Sequence, residues 1–263
     1  MGGNMNKEIT FIVCTKNSIE TIEKCLESIR NFPVILVDKD STDETLEVAK
    51  KFKNVKIINQ KGNGLANARN LGLEKVKTKY VLIWGSDNIY LLNSYSILDI
   101  LYEYLQERNY IGVGFLTRIE NPKTYFDKCI HIWWKNKIKS GESKVVGTPV
   151  LYDTKVLKQF KYNENCTHAD DCDLGERLYQ QRFKQGYCNS YCYDISKNNI
   201  KNILDRFTRY GISDKEYNKK YCNTFKSKIK SYLHTLISDF TPNLYFIPFW
   251  FIILVIRFIG RLK

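Results

Sequence analysis

The chain has 263 residues, of which 43% are hydrophobic, and this composition excludes a disordered polymer. The length allows one large domain or a domain with an appendage. The formal net charge of +13 attracts nucleic acid, anionic lipid headgroups or phosphorylated substrates, and it does not choose among these three partners.

Eight cysteines are scattered without a Cys-x-x-Cys pair, and no charged-then-apolar leader opens the chain. We therefore expect a protein of the cytosolic side with mostly buried thiols. A disulfide between Cys188 and Cys192 is left open by the sequence. The spacing of Cys166, His168 and Cys172 fits no common structural zinc site.

Apolar runs alternate with helical periodicity from residue 8 to residue 84. Strands are predicted at residues 9–13, 34–37, 55–58 and 80–84, and helices at residues 18–30, 41–52 and 65–76. Short, uninterrupted apolar strands separated by helices indicate a parallel sheet covered on both faces. In the second helix, Ser41 with Glu44 three residues later matches a capping box. The pattern predicts a doubly wound α/β domain.

Polar segments follow three of these strands, at residues 15–17, 38–43 and 85–88. Because ligands bind at the carboxyl ends of the strands in such a sheet, we expect the three segments to share one rim. Asp38 ends a buried strand and is well placed to accept hydrogen bonds from a base or a ribose. Asp43 has the simpler explanation of supporting a helix N-terminus.

The segment from residue 90 to residue 195 is less regular. It contains a predicted helix at residues 97–106, a predicted strand at 111–116 and a basic, aromatic stretch at 124–144. Asp170, Asp171 and Asp173 then cluster before a helical run. Crowded carboxylates raise the pKa of at least one member, which suits a general base, although a solvated acidic helix start has the same composition.

The C-terminal part is basic and then apolar. Residues 196–231 contain ten Lys or Arg, and residues 244–256 are 13 apolar residues closed by Arg257, Arg261 and Lys263. As a helix that run is about 20 Å long, short of a hydrocarbon core of roughly 30 Å. We expect a helix that lies in or on a membrane surface rather than one that spans it, and a buried core helix is the alternative.

Taken in order, segments from about Ile9 to Tyr187 resemble a family 2 glycosyltransferase with the GT-A fold. "FIVCTKNSIETIEKCLESI" looks like the opening strand and helix, "VILVDKDSTDET" resembles the Asp-x-x-Ser-Thr-Asp-x-Thr element, and "GLANARNLG" looks like the Gly-x-x-x-Ala-Arg-Asn-x-Gly helix. The resemblance implies an α/β fold with a mainly parallel central sheet flanked by helices, followed by a C-terminal helical tail. It also implies a set of nucleotide-binding residues: Thr15, Asn17, Asp38, Asp40, Arg69 and Ser86.

"VVGTPVLYDTKVLKQF" and "ADDCDLGERL" are similar to the acceptor-side segment and the Glu-Asp-x-Asp-Leu motif of this family. In that motif Asp170 replaces the glutamate and Asp171 falls at the catalytic base. "RFTRYG" resembles a basic element found after the catalytic domain in some members. Its Arg206 and Arg209 are therefore expected to neutralise the leaving diphosphate.

The family usually ends its fourth strand in Asp-x-Asp, and here "GSDN" stands in that place. Gly85 takes the first Asp, and Asp87 takes the second, which is expected to hold Mn²⁺ or Mg²⁺. We expect Asn88 to offer a neutral oxygen in partial replacement. Substitution of Gly85 by Asp is expected to be tolerated or to improve metal affinity.

The resemblance implies an inverting transfer of sugar from a nucleotide-diphosphate sugar to a lipid-linked or surface-glycan acceptor at the cytoplasmic face of a membrane. The expected organisation is a catalytic domain at residues 1–195, a basic helical linker at 196–240 and a membrane-associating helix at 241–263. The alternative is a degenerate GT-A module that binds nucleotide or glycan without turnover. Nucleic-acid binding rests on net charge alone, and we predict none, because the charge is concentrated beside an apolar helix.

Overall fold

The computed structural model describes residues 8–90, 97–239 and 245–263, apart from the side chains of residues 98, 101 and 234–239. Its first half alternates four strands and three helices. The strands are β1 (Ile9–Thr15), β2 (Val34–Asp38), β3 (Val55–Asn59) and β4 (Tyr80–Gly85), and the helices are α1 (Ile22–Ser28), α2 (Thr45–Ala49) and α3 (Gly64–Lys75). All neighbouring strands of this half are parallel, in the order β3-β2-β1-β4. The predicted strands of this half are confirmed.

The capping box predicted at Ser41 is wrong. The helix α2 begins only at Thr45 and is preceded by Glu44, which makes no side-chain cap hydrogen bond. Ser41 instead donates its backbone N–H to Asp38 Oδ2 at 2.9 Å and its hydroxyl to Asp38 Oδ1 at 2.5 Å. The buried carboxylate of Asp38 requires hydrogen-bond donors. The hydroxyl of Ser41 serves as one of them, and it is the same group that the predicted capping box would use.

The second half adds five strands and the remaining helices. The strands are β5 (Asn88–Ile89), β6 (Tyr110–Ile119), β7 (Gly141–Glu142), β8 (Val150–Asp153) and β9 (Lys184–Asp194). The helices are α4 (Ile97–Ile100, with a π-helical continuation Leu101–Glu107), α5 (Tyr125–Lys137), α6 (Thr154–Phe160), α7 (Asp170–Gln180), α8 (Ile200–Tyr221), α9 (Phe225–Asp239) and α10 (Ile247–Leu262).

The sheet is mixed, because β8 runs antiparallel to both of its neighbours, β4 and β6. The complete strand order is β3-β2-β1-β4-β8-β6-β9-β5, with β7 paired to β9. β6 and β9 pair in parallel. The predicted α/β class is therefore confirmed, with parallel pairing throughout the first half and antiparallel insertions in the second.

Residues of alternating strand positions pack on the two faces of the sheet. Phe11 and Trp84 lie in the core on the α1 side, and Ile12 and Ile83 lie in the core on the α3 side. A third apolar cluster joins α5, α8 and α10 and includes Trp133, Phe207 and Phe249 among its fully buried members. The helices after residue 195 are thus packed onto the protein rather than standing apart from it.

The crossing of α8 and α10 is a close contact between two glycines. A Cβ added at Gly211 would lie 2.2 Å from the carbonyl oxygen of Arg257, and one added at Gly260 would lie 2.3 Å from the carbonyl oxygen of Thr208. Asp214 on α8 accepts hydrogen bonds from Arg257 at 2.8 and 2.9 Å and from Arg261 at 2.8 Å. Backbone packing and ion pairs together fix α10 on α8.

Among the described residues, none of the helices combines the length and the apolar character needed to cross a bilayer. α10 instead buries one face against its neighbours and leaves the other exposed. Phe249 and Ile253 are fully buried, whereas Phe251, Val255 and Phe258 are more than half exposed. The core-helix alternative therefore describes only the inner face of α10.

Candidate active site

The turns after β1 and β2 are tied to each other by side-chain hydrogen bonds. Asn17, which has a positive φ of 50°, accepts the backbone N–H of Thr42 at 2.8 Å. Its own N–H donates to the hydroxyl of Ser41 at 2.9 Å. Because Ser41 also bonds to Asp38, the predicted nucleotide-binding turn and the predicted base-binding carboxylate form one connected unit.

Two further residues predicted to bind the nucleotide differ in environment. Thr15 is buried at the end of β1, and its hydroxyl has no hydrogen-bond partner in the described structure. Asp40 is exposed, has a positive φ of 49°, and pairs with Lys39 at 3.1 Å. The unpartnered hydroxyl of Thr15 is a group that a ligand could satisfy, whereas Asp40 already has a charged neighbour.

A cavity of about 460 Å³ opens at the carboxyl end of β4. It brings together five of the residues predicted from the sequence: Arg69, Ser86, Asp87, Arg206 and Arg209. It also has walls that the sequence did not indicate, including Cys14, Trp134, Thr148, Asp194 and Tyr210. Thr15, Asn17, Asp38, Asp40, Asp170 and Asp171 are not among the residues that line it.

Asp87 has a second carboxylate beside it, Asp194. The two come together because β5 pairs with β9, so that Asn88 lies opposite Asp194, and the N–H of Ile195 donates to the carbonyl of Asp87 at 2.9 Å. Burial and the charge of Asp194 raise the pKa of Asp87 to about 6, while Arg206 and Arg209 oppose that rise. The cavity therefore presents two carboxylates, although the strand end itself carries one.

Asp194 is missed by reasoning from the sequence, because its partner strand lies far away in the chain. The local signal is that the strand Lys184–Asp194 ends in a carboxylate, as the second strand does at Asp38. In the structure Asp194 is buried and accepts the N–H of Ser196 at 2.8 Å and Nη2 of Arg206 at 3.3 Å. Arg206 Nη2 also donates to the hydroxyl of Ser196 at 3.0 Å.

Arg206 and Arg209 come from α8, one turn apart, and both line the cavity. Nη1 of Arg206 is buried and has no partner among the described residues. Arg209 is exposed. Each arginine therefore keeps donor capacity or positive charge for an anion that enters the cavity, and the neutralisation of a leaving diphosphate stays a prediction.

The turn at Gly85 leaves little room for a side chain. Asn88 Oδ1 accepts the N–H of Gly85 at 3.2 Å, and its backbone carbonyl accepts the indole N–H of Trp84 at 3.0 Å. A Cβ at Gly85 would lie 2.5 Å from Asn88 Oδ1 and 2.6 Å from Asp87 Oδ1. The expectation that Gly85→Asp is tolerated stays a prediction, and the new side chain would require the ends of the Asp87 and Asn88 side chains to move. Asn88 Oδ1, the oxygen that is predicted to bind the metal, accepts the N–H of Gly85 and so stabilises this turn.

Ser86, between Gly85 and Asp87, lines the cavity. Its hydroxyl lies 3.1 Å from that of Ser18, which follows β1. The contact joins the turn after β4 to the turn after β1. The three predicted rim segments are thus linked by hydrogen bonds through Ser18, Ser41 and Asn17.

Asp171, the predicted base, lies in the first turn of α7. Burial and the neighbouring Asp170 raise the pKa of Asp171, and Arg69 partly offsets this rise. Its Oδ1 accepts the N–H of Cys172 at 2.8 Å. Its Oδ2 faces Gly147, where an added Cβ would lie 3.4 Å from that oxygen. A carboxylate with a raised pKa is a better proton acceptor than an ordinary aspartate.

Arg69 and Asp170 form a buried ion pair beside Asp171. Arg69 Nη2 also donates to the hydroxyl of Thr148 at 2.8 Å, and its guanidinium lies 5.0 Å from the ring centre of Tyr162. Arg69 therefore reaches the cavity, but its charge is matched first by Asp170, and its contact with a nucleotide stays a prediction. Its Nε has no partner among the described residues.

The N-terminus of α7 is held by a carboxylate from α8. Glu216 Oε2 accepts the N–H groups of His168 at 3.0 Å and Ala169 at 3.1 Å, and Oε1 accepts that of Thr167 at 3.2 Å. Burial alone would raise the pKa of Glu216, but these hydrogen bonds outweigh it and the pKa is lowered.

The domain boundary predicted at residue 195 stays a prediction. The helix α8, which lies beyond it, both lines the cavity and fixes the helix that carries the predicted base.

The cysteines are free thiols, including Cys188 and Cys192, which are both buried. Burial raises the pKa of Cys14, which lines the cavity, to about 12. Within residues 8–90, 97–239 and 245–263, no group of three or more His, Cys, Asp or Glu side chains is arranged to hold a metal ion. A cation at Asp87 and Asp194 would therefore need further ligands from a substrate or from water.

Comparison with known proteins places the chain in a family. The model of glycosyl transferase family 2 matches residues 10–164. Glycosyltransferase GlyG of Streptococcus pneumoniae serotype 4 is 30% identical over 72% of this chain and 70% of its own length. Cholesterol galactosyltransferase of Borreliella burgdorferi is 30% identical over 39% of this chain and 30% of its own length.

Among solved structures, the mannosyltransferase PcManGT of Pyrobaculum calidifontis, in complex with GDP-Man and Mn²⁺, superimposes with a TM-score of 0.64 at 15% identity. The match covers 94% of this chain and 74% of that one, and it shows the shared fold. The chain spans between 27% and 30% of the length of the first curated relatives that it matches. The family match and the GlyG match show that the chain belongs to glycosyl transferase family 2.

Proposed function

We propose that this protein transfers a sugar from a nucleotide-diphosphate sugar to a hydroxyl of a lipid-linked or cell-surface glycan, with inversion at the anomeric carbon. The observation that carries the proposal is the cavity itself. It gathers Asp87 from the turn after β4, Asp194 from the end of β9, Arg206 and Arg209 from α8, and Arg69 beside the predicted base. Family membership supports the same reaction class.

In this mechanism Asp171 removes the proton from the acceptor hydroxyl. That oxygen attacks the anomeric carbon on the face opposite the diphosphate, the bond to the diphosphate breaks, and the leaving group takes the electron pair. Arg206 and Arg209 supply positive charge where the leaving diphosphate develops negative charge. Thr15, Asn17 and Asp38 hold the nucleoside, with Asp38 accepting hydrogen bonds from the base.

The donor set of the cavity fits Mn²⁺ or Mg²⁺. Both are hard cations that bind carboxylate oxygens, and Mg²⁺ is commonly held by one or two carboxylates together with substrate phosphates. Asp87 supplies one such oxygen ligand, and Asp194 stands beside it. A bound cation would offset the charge of the diphosphate. The Mn²⁺ and GDP-Man of the Pyrobaculum mannosyltransferase support this assignment.

The C-terminal helices support the proposed acceptor class and location. A net charge of +13 suits an anionic membrane surface, and the apolar α10 lies at the end of the chain. We place the protein at the cytoplasmic face of a membrane with a lipid-linked or glycan acceptor. The name of the Borreliella relative, which gives a sterol as its acceptor, supports a lipid acceptor class.

The test is to incubate the purified chain with a panel of nucleotide sugars, Mn²⁺ and a lipid extract, and to measure nucleotide release and the mass of the product. Asp87→Ala is expected to abolish the metal-dependent release. Asp205→Asn, which changes an exposed carboxylate outside the cavity, is the matched control and is expected to keep the wild-type rate.

Absence of release with every donor and acceptor would contradict the proposal. If calorimetry then showed UDP or GDP binding that chelation does not alter, the protein would instead be a GT-A module that binds without turnover. Gly85 in place of an aspartate is the feature that motivates this second candidate.

A further inference from the structure

The exposed face of α10 carries an unbroken row of apolar side chains, which we name the outer stripe. Its members are between 36% and 68% exposed: Phe251, Ile252, Val255, Phe258, Ile259 and Leu262. Their spacing of three, four and seven residues places them on one side of a helix. No polar or charged residue interrupts the stripe.

A surface helix of a soluble protein usually turns polar residues to water and apolar ones to the core. α10 instead buries Phe249, Ile253 and Ile256 on its inner face and still exposes large apolar side chains on the outer one. Apolar patches of this kind mark surfaces that bind another protein, a membrane or a ligand. We therefore expect the outer stripe to be covered by a binding partner or a membrane.

Charges next to the stripe decide which occupant fits. On α9, Lys226, Lys228 and Lys230 are all exposed, and Phe225 beside them is 81% exposed. From residue 217 to residue 238 the sequence contains no Asp or Glu. Arg261 of α10 lies over the ring of Tyr232 of α9, 4.5 Å from its centre, which brings the cationic helix alongside the end of the stripe.

A second copy of this chain is the less favourable occupant, because a symmetric contact through the stripe brings two lysine-rich α9 helices towards each other. An anionic bilayer complements both features. The apolar side chains enter the boundary between headgroups and acyl chains, and each nearby Lys is attracted to the anionic headgroups. We propose that the outer stripe and the lysines of α9 form a docking surface for anionic membranes, on which α10 lies in the plane of the interface.

The docking surface is fixed to the cavity. α10 is held on α8 by the Gly211–Gly260 contact and by the ion pairs of Asp214, and α8 carries Arg206 and Arg209 into the cavity. Docking therefore sets the position of the cavity relative to the bilayer. The inference rests on the proposed membrane location, and it specifies which residues meet the lipid.

The test is flotation of the full chain with vesicles of phosphatidylcholine alone or with added phosphatidylglycerol. The wild type is expected to float with the anionic vesicles, and less so as salt is added. Val255→Ser/Phe258→Ser is expected to lower the partition coefficient by about tenfold or more, since each substitution removes apolar area from the interface. Tyr102→Ser/Tyr179→Ser, at two positions that are 60% and 57% exposed away from the stripe, is the matched control and should float like the wild type.

Lys226→Glu/Lys228→Glu tests the electrostatic part, with Lys51→Glu/Lys53→Glu as the control at exposed lysines elsewhere. The first pair should weaken flotation with anionic vesicles, and the second should have a smaller effect. Melting temperatures establish that each variant is folded.

The proposal is overturned if all variants float equally, or if the wild type ignores vesicles and instead forms a dimer that Val255→Ser/Phe258→Ser dissociates. Nucleotide release with the donor panel, Mn²⁺ and the lipid extract is measured on the same proteins. A wild type that does not float but releases nucleotide contradicts only the docking surface, whereas a wild type that floats but releases no nucleotide contradicts only the transferase proposal.

Discussion

At the scale of single residues, the buried pair of Arg69 and Asp170 has the largest expected effect on stability. Removing one partner of a buried ion pair leaves the other charge uncompensated, which costs about 3–5 kcal/mol. We expect Arg69→Met to lower the free energy of unfolding by about this amount, measured by urea denaturation. Adding Asp170→Asn to the same chain should recover part of the loss, and no recovery would show that Arg69 acts by packing rather than by charge.

The raised pKa of Asp171 predicts the acid limb of the rate profile. A base must be deprotonated, so kcat/KM should fall as the pH drops through its pKa. Because burial and Asp170 raise that pKa, the fall should lie at higher pH than the ordinary aspartate value of about 3.9. A profile of kcat/KM against pH measures it, with protein stability checked at each pH. An acid limb at or below about 4 would contradict the assignment of Asp171 as the base.

Gly85 gives a prediction opposite to the one that the sequence suggests. Gly85→Asp restores the usual family motif, yet its Cβ would collide with the ends of Asp87 and Asn88. We expect weaker Mn²⁺-dependent nucleotide binding, measured by calorimetry. Gly85→Ala is the informative comparison, since it adds the same Cβ without a charge and should account for much of the loss. Tighter binding in Gly85→Asp would show that the turn adapts at little cost.

The residues of the site differ in how far the sequence could predict them. Asp87, Arg206 and Arg209 follow from motifs, and the structure brings all three to one cavity. Asp194 has no motif, because it reaches Asp87 through a pairing of β5 with β9 that no local pattern indicates. The role of Arg69 as a partner of Asp170 also depends on a tertiary contact between α3 and α7.

At the scale of elements, the contact of α8 with α10 depends on two glycines. Alanine has the higher helix propensity, by about 1 kcal/mol, so Gly211→Ala would stabilise an isolated helix. Here its Cβ meets the carbonyl oxygen of Arg257, and such overpacking costs about 1–3 kcal/mol. We expect Gly211→Ala to lower the melting temperature. Lys215→Ala, at an exposed position of the same helix, should leave it nearly unchanged.

The elements that periodicity predicts well are those whose residues all face a core. β1 to β4 are nearly continuous apolar runs, and their positions agree with the prediction. The helix predicted at residues 41–52 shortens to Thr45–Ala49, since Ser41 bonds to Asp38 instead of capping a helix. The four residues of β8 are too few for their antiparallel direction to appear in any sequence pattern.

At the scale of the whole molecule, the net charge is informative only together with its position. The sequence shows that the lysines of α9 and the apolar run of α10 are neighbours in the chain, which suggested a membrane. The structure adds that α10 has a buried and an exposed face and that α8 connects it to the cavity. Sequence reasoning could not divide the run into these two faces, because residues 249–256 are apolar on every side.

The central claim is that the cavity and the neighbouring turns after β1 and β2 bind a nucleotide sugar and that Asp171, beside Arg69 of the cavity wall, activates the acceptor. The most direct measurement is acceptor-dependent nucleotide release by the wild type and by Asp171→Asn, with donor binding measured by calorimetry on the same proteins. We predict that Asp171→Asn binds the donor as the wild type does and releases nucleotide about 10²–10⁴ times more slowly. Release by Asp171→Asn at the wild-type rate would contradict the claim.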